Sequence, residues 1–136
     1  MPQKLLWPLF KLQKMAIRMI TNSNRRESTQ PDCKILKIIR LPEIYNYSAN
    51  IFMYKFKNNM LPTKFDNLFR TNNEFHTHNT RNSRNLRVPK TNTTLADKFI
   101  TKTGVKIWNT TIRNIDCNTT ISIFKKNLID YLITDY

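Results

Sequence analysis

The stretch Asn72-Asn73-Glu74-Phe75-His76-Thr77-His78-Asn79-Thr80-Arg81-Asn82-Ser83-Arg84-Asn85-Leu86-Arg87-Val88-Pro89-Lys90 divides the chain. It has neither the apolar period of a helix nor the alternation of a strand, so it reads as a long loop. Its cations, Arg81, Arg84, Arg87 and Lys90, fall three residues apart. Helical steps of about 300° would spread them around half a cylinder, whereas an extended segment with about 3 residues per turn would stack them along one edge. Pro89 and the surrounding Asn and Ser favour the extended form. A row of guanidinium groups suits phosphates, since each is a planar fork of donors that stays charged. Spacing alone serves this reading and that of a solvated basic loop equally.

Before the loop, the chain reads as helices. From Pro8, a favourable first helical position, Leu9, Leu12, Ala16, Met19 and Ile20 follow a helical period, with Lys11, Lys14 and Arg18 mainly on the other side. Such a helix could lie on an anionic membrane, but its narrow apolar face, dotted with Ala and Met, favours a core helix with solvated lysines. Pro31 opens a short segment through Leu36, and Lys37-Ile38-Ile39-Arg40-Leu41 is an apolar connector that ends at Pro42. Ile44, Tyr47, Ser48, Ile51, Phe52 and Lys55 mark one face of a second long helix, with Asn58 and Asn59 as terminators. Leu61-Pro62 starts a shorter third helix that buries Phe65, Leu68 and Phe69. The rings of Phe52, Tyr54, Phe56, Phe65 and Phe69 could stack bases, but they fall where helical periodicity already demands burial.

After the loop, Thr94 is placed to cap a segment with Leu95, Phe99 and Ile100, and Asp97 suits its first turn. Gly104 reads as a backbone turn that aims Trp108 into the core. Thr120 precedes the best-patterned helix, with Ile121, Phe124, Leu128, Tyr131 and Leu132 on one stripe and Lys125, Lys126 and Asp130 outside. The expected fold is mainly α: one small irregular helical domain over residues 1–136, with N-terminal helices in 1–71, a long central basic loop in 72–93 and C-terminal helices in 94–136.

Composition narrows the chemistry. In 136 residues, 23 Lys and Arg stand against 9 Asp and Glu, a formal net charge of +14. That excess repels itself unless a polyanion neutralises it, with nucleic acid the first candidate and an anionic membrane the second. A single Gly excludes glycine-rich nucleotide cradles. Cys33 and Cys117 are far apart and read as free thiols of an intracellular protein, nuclear or cytoplasmic. Leu5-Leu6-Trp7-Pro8-Leu9-Phe10 is too short an apolar run for a signal core or a membrane span. His76 and His78 form a His-x-His pair without the further ligands a structural zinc site needs. No nucleophile elbow is present, and no Asp-Asp pair exists to hold two metal ions. Neither a cofactor nor a small-molecule substrate is expected.

Six segments then resemble, in order, segments of one family. Leu12-Gln13-Lys14-Met15-Ala16-Ile17-Arg18-Met19-Ile20-Thr21 resembles the segment that follows the catalytic domain in jockey-like non-LTR retrotransposon reverse transcriptases. Leu36-Lys37-Ile38-Ile39-Arg40-Leu41-Pro42-Glu43-Ile44-Tyr45 is similar to the family's next segment. Phe52-Met53-Tyr54-Lys55 with Asn59-Met60-Leu61-Pro62 follows, then His76-x-His78-Asn79-Thr80-Arg81-Asn82-Ser83. Gly104-Val105-Lys106-Ile107-Trp108-Asn109 and Ser122-Ile123-Phe124-Lys125-Lys126-x-Leu128 complete the resemblance, which covers nearly the whole of Leu12 to Tyr136.

The resemblance implies the carboxy-terminal region of an RNA-directed DNA polymerase whose catalytic palm, with its aspartates, would precede Met1. Such a region would help hold template RNA and target DNA, without catalysis of its own. The expected partners are an RNA or DNA backbone and, in the parent protein, the polymerase core. Arg81, Arg84, Arg87 and Lys90 are the first candidates for phosphate contact, and Lys11, Lys14 and Arg18 form a second patch. Trp108, Phe124 and Leu128 are expected to pack. The alternative is a structural docking module that needs the polymerase core and has no ligand of its own, which would leave a contiguous exposed apolar patch.

Overall fold

The computed structural model describes residues 3–75 and 83–134, with side chains from Leu6 onward. Among them the chain is mainly helical: α1 spans Gln3–Thr21, α2 Gln30–Leu36, α3 Glu43–Lys57, α4 Ile100–Thr111 and α5 Ile121–Thr134. Single 3₁₀ turns lie at Thr63–Phe65, Asn72–Glu74 and Ala96–Lys98. No strand forms among the described residues, only an isolated antiparallel bridge between Thr71 and Leu86. None of their helices is long and apolar enough to cross a membrane.

The chain folds as two compact units, Met1–Tyr47 with Thr120–Tyr136, and Ser48–Thr119. In the first, α1 and α5 each pack on α2. Ile17, Cys33, Phe124, Leu128, Leu132 and Ile133 are buried there. Burial pushes the Cys33 thiol above its ordinary pKa, because the apolar surroundings disfavour the thiolate. The amide of Gln13 serves the apolar connector as a strand edge would: Nε2 donates to the Ile39 carbonyl at 3.0 Å and Oε1 accepts from the Leu41 N–H at 2.9 Å. Irregular backbone there has no ladder partner, so a side-chain amide supplies one.

The second unit is built around α3 and α4. Met53, Tyr54, Val105 and Trp108 are buried, and Trp108 is only 3% exposed. Phe52, Phe56, Phe65 and Phe69 meet edge to face, with Phe56 and Phe69 centroids 4.8 Å apart at 76° and Phe52 and Phe65 5.9 Å apart at 81°. These rings therefore pack on one another. The Tyr54 hydroxyl donates to the Thr119 carbonyl, and Lys57 Nζ donates to Cys117 Sγ at 2.8 Å.

Helix ends show how a chain with one Gly turns corners. Asn22, Lys37 and Asn59 take positive φ, at 53°, 52° and 52°. After each, the next N–H reaches back to a carbonyl five residues earlier: Ser23 to Arg18, Ile38 to Cys33, and Met60 to Lys55. These are Schellman closures in which Asn, and once Lys, stands where Gly is commonest. The expected end of α3 at Asn58 and Asn59 is what forms.

Several expectations are corrected. Pro8 is inside α1, not at its start. Its missing N–H leaves the Lys4 carbonyl without its helical partner, a loss confined to the first turns. The stripe Leu9, Leu12, Ala16, Met19 and Ile20 faces solvent, with Met19 81% and Ile20 66% exposed, while Phe10, Gln13 and Ile17 lie on the packed side. α1 is apolar over more of its circumference than the short α2 covers, and the Gln13 hydrogen bonds select the face that packs. No third α-helix follows Pro62. Successive i to i+3 bonds, Phe65 to Pro62, Asp66 to Thr63 and Leu68 to Phe65, make tight turns instead, since a segment this short cannot repay helix nucleation. Thr94 does not cap. α4 begins at Ile100, and Thr93 Oγ1 accepts the Ala96 N–H at 3.2 Å. Asp97 accepts hydrogen bonds from Lys102 and Thr91, and these, the Lys102 bond first, hold its carboxyl below the ordinary carboxylate range.

Gly104 makes no turn either. It is buried within α4, and a Cβ there would stand 2.7 Å from Ile100 Cδ1 and 3.5 Å from Met53 Sδ. The glycine thus gives close approach between α4 and the Met53 side chain. Gly104→Val is expected to destabilise the fold by about 1–3 kcal/mol through overpacking. An unchanged denaturant midpoint would show that this approach is not tight.

Candidate nucleic-acid interface

The basic loop is fastened where it re-enters the described structure. Asn72 N–H donates to the Asn85 carbonyl at 3.0 Å, Asn73 N–H to the Ser83 carbonyl at 3.1 Å, and Arg87 N–H to the Arg70 carbonyl at 2.8 Å. Leu86 is gripped from the other side by Asn109 of α4. Asn109 Oδ1 accepts the Leu86 N–H at 3.2 Å, and its Nδ2 donates to the Leu86 carbonyl at 2.8 Å. Asn109 follows the buried Trp108, so its amide projects from the rim of the buried helix face.

This fastening sets the cations. Arg87 and Lys90 line one open cavity of about 380 Å³, together with Arg70, Phe75, Leu68, Phe69 and Pro89. The Arg87 guanidinium carbon sits 3.7 Å from the Phe75 ring centroid, and that of Arg70 at 5.8 Å. Guanidinium groups stacked on a ring keep their charge, and their donor edges remain available to an anion. Arg84 is exposed in the turn before Leu86 and does not line this cavity. Arg81 and the pair His76 and His78 lie outside the described residues. Among those that are described, no group of three or more His, Cys, Asp or Glu is placed to hold a metal ion.

The second patch forms in the first unit as a stripe along α1. Lys14 Nζ lies 4.4 Å from the centroid of Phe10, and Lys11 Nζ 5.6 Å from that of Trp7. Arg18 Nη2 donates to the Glu27 carbonyl at 2.9 Å. Lys11, Lys14 and Arg18 line a shallow cavity of about 700 Å³ that also includes Arg25, Met15 and Met19. All three expected cations are brought together, with Arg25 added by the turn after α1.

Sequence reasoning missed Asn109, Arg70 and Phe75 as parts of the first site. A signal existed for Asn109, the polar residue directly after Trp108 in Gly104-Val105-Lys106-Ile107-Trp108-Asn109. Phe75 stood out only as an aromatic residue in an otherwise polar loop.

No protein-family model, no curated protein and no solved structure matches the chain.

Asn109→Ala removes both bonds to Leu86 and leaves its backbone groups without these partners, at a cost of about 1–3 kcal/mol. Hydrogen exchange at the Leu86 amide should accelerate by about tenfold or more, and unchanged protection would contradict the anchoring role.

Proposed function

We propose that this chain binds the phosphate backbone of RNA or DNA without reading its sequence, as a region equivalent to the carboxy-terminal part of a jockey-like retrotransposon reverse transcriptase. Its contribution is to RNA-directed DNA synthesis carried out by a polymerase core. The observation that carries the reading is the grouping of Arg70, Arg87 and Lys90 around one cavity on a loop segment held by Asn109. The formal charge of +14 and the stripe of Lys11, Lys14 and Arg18 support it. Contacts of this kind release counterions and therefore weaken as salt rises.

Replacing Arg87 and Lys90 together by Gln should lower the slope of log affinity against log salt by about 1.5 and weaken binding at low salt by the same amount on unrelated sequences. An unchanged slope would sink the assignment of these two residues.

A second reading, the structural docking module, is favoured by the solvent-facing stripe Leu9, Leu12, Met19 and Ile20 on α1. In the parent protein an apolar surface of the polymerase core would cover it. Leu12→Ser with Ile20→Ser should lower binding of a hydrophobic dye several-fold while leaving the melting temperature within about a degree or two of the original, since exposed substitutions cost little. A steep fall in melting temperature would mean that these side chains belong to a core.

A further inference from the structure

Phosphate contact alone does not account for the shape of the cavity in the second unit. A site for backbone phosphates needs only cations on a convex or shallow surface. Here the cations stand over a recess with apolar walls: Phe75, 44% exposed, Leu68, the nearly buried Phe69 and the ring of Pro89. Asn67 and Thr101 add hydrogen-bonding side chains to the lining. A flat aromatic ring, a guanidinium carbon 3.7 Å from its centroid and polar groups within the same recess are the parts that receive a nucleobase and its phosphate together.

Resting on the backbone-binding reading, we infer that this cavity takes one unpaired nucleotide of a single strand. Its base lies against the exposed part of Phe75 that the Arg87 guanidinium leaves uncovered, beside that guanidinium, and its phosphate lies among Arg70, Arg87 and Lys90. A duplex keeps its base faces stacked and its edges paired, so it can offer the site only phosphates. The cavity therefore makes the protein prefer single strands. The preference is tolerant of sequence, because every base has a π face.

The full chain is titrated by fluorescence anisotropy with labelled oligouridylate, with labelled oligothymidylate, and with each annealed to its complement, at one salt concentration. Unpaired strands should bind about tenfold more tightly than duplexes, from the stacking of one base. Phe75→Ala should remove that advantage by lowering strand affinity several-fold more than duplex affinity, and Phe75→Trp should retain it. Uridine monophosphate should fail to displace the strand at strand-like concentrations. In the unaltered protein, a strand carrying 5-iodouracil should photocrosslink at Phe75, a readout that does not depend on how any variant folds.

Equal affinity for strands and duplexes, an equal effect of Phe75→Ala on both, displacement by the free nucleotide at strand-like concentrations, or crosslinks only at other residues would each overturn the inference. If the salt-slope change of Arg87→Gln with Lys90→Gln survives such a result, the backbone reading stands and the nucleotide pocket alone falls. Absence of binding to any of these oligonucleotides would remove both.

Discussion

The pairing of the Asn109 carboxamide with both backbone groups of Leu86 is the constraint on which the first candidate site depends. A segment with no regular secondary structure carries a donor and an acceptor on every residue but Pro, and these need partners wherever they leave water. One amide side chain offers an acceptor and two donors in a plane, so it can stand in for a neighbouring strand. Because Asn109 follows the buried Trp108, the position of the loop segment is inherited from the packing of α4. That packing is set in turn by Gly104, whose lack of a Cβ admits Met53 and Ile100. Gln13 gives the same service to the connector at Ile39 and Leu41 in the other unit.

Charge plays little part in holding the fold together. The ion pairs among the described residues include Arg40 with Glu43 at 3.9 Å and Lys102 with Asp97, and pairs of this kind near the surface contribute little in water. Stability comes from buried rings and aliphatic side chains, chiefly Tyr54, Phe124, Met53 and Leu128. The positive excess is therefore left over from folding, and a partner of opposite charge would relieve it. The lysines of α1 rest on Phe10 and Trp7, a placement that bears on orientation more than on stability.

α1 carries large apolar side chains on two sides. One side holds Ile17 in the first unit, and the other presents Leu9, Leu12, Met19 and Ile20 to water. Exposure of this kind over several turns exceeds what scattered surface residues account for. Met19 belongs both to this stripe and to the cavity lined by Lys11, Lys14 and Arg18, so on α1 the surfaces of the two proposed readings adjoin.

What the sequence determined by itself rested on local period and punctuation, and only where these were strong, since the same kind of signal misplaced Pro8, Pro62, Thr94 and Gly104. The run from Ile121 through Leu132 has one apolar stripe and folds as α5, with Phe124 and Leu128 fully buried. Pro31 and the pair Asn58 and Asn59 marked a helix start and a helix end because their backbone preferences act within a few residues. Tertiary structure decided what depends on partners distant in the chain. Periodicity could not say which of two apolar stripes of α1 would be covered, since that depends on the length of α2 and on Gln13 reaching Ile39 and Leu41. Nor could spacing say that Arg87 would lie on Phe75 beside Arg70 while Arg84 would not, because an irregular backbone takes its course from the groups that hold it. Here that group is Asn109, 23 residues away from Leu86.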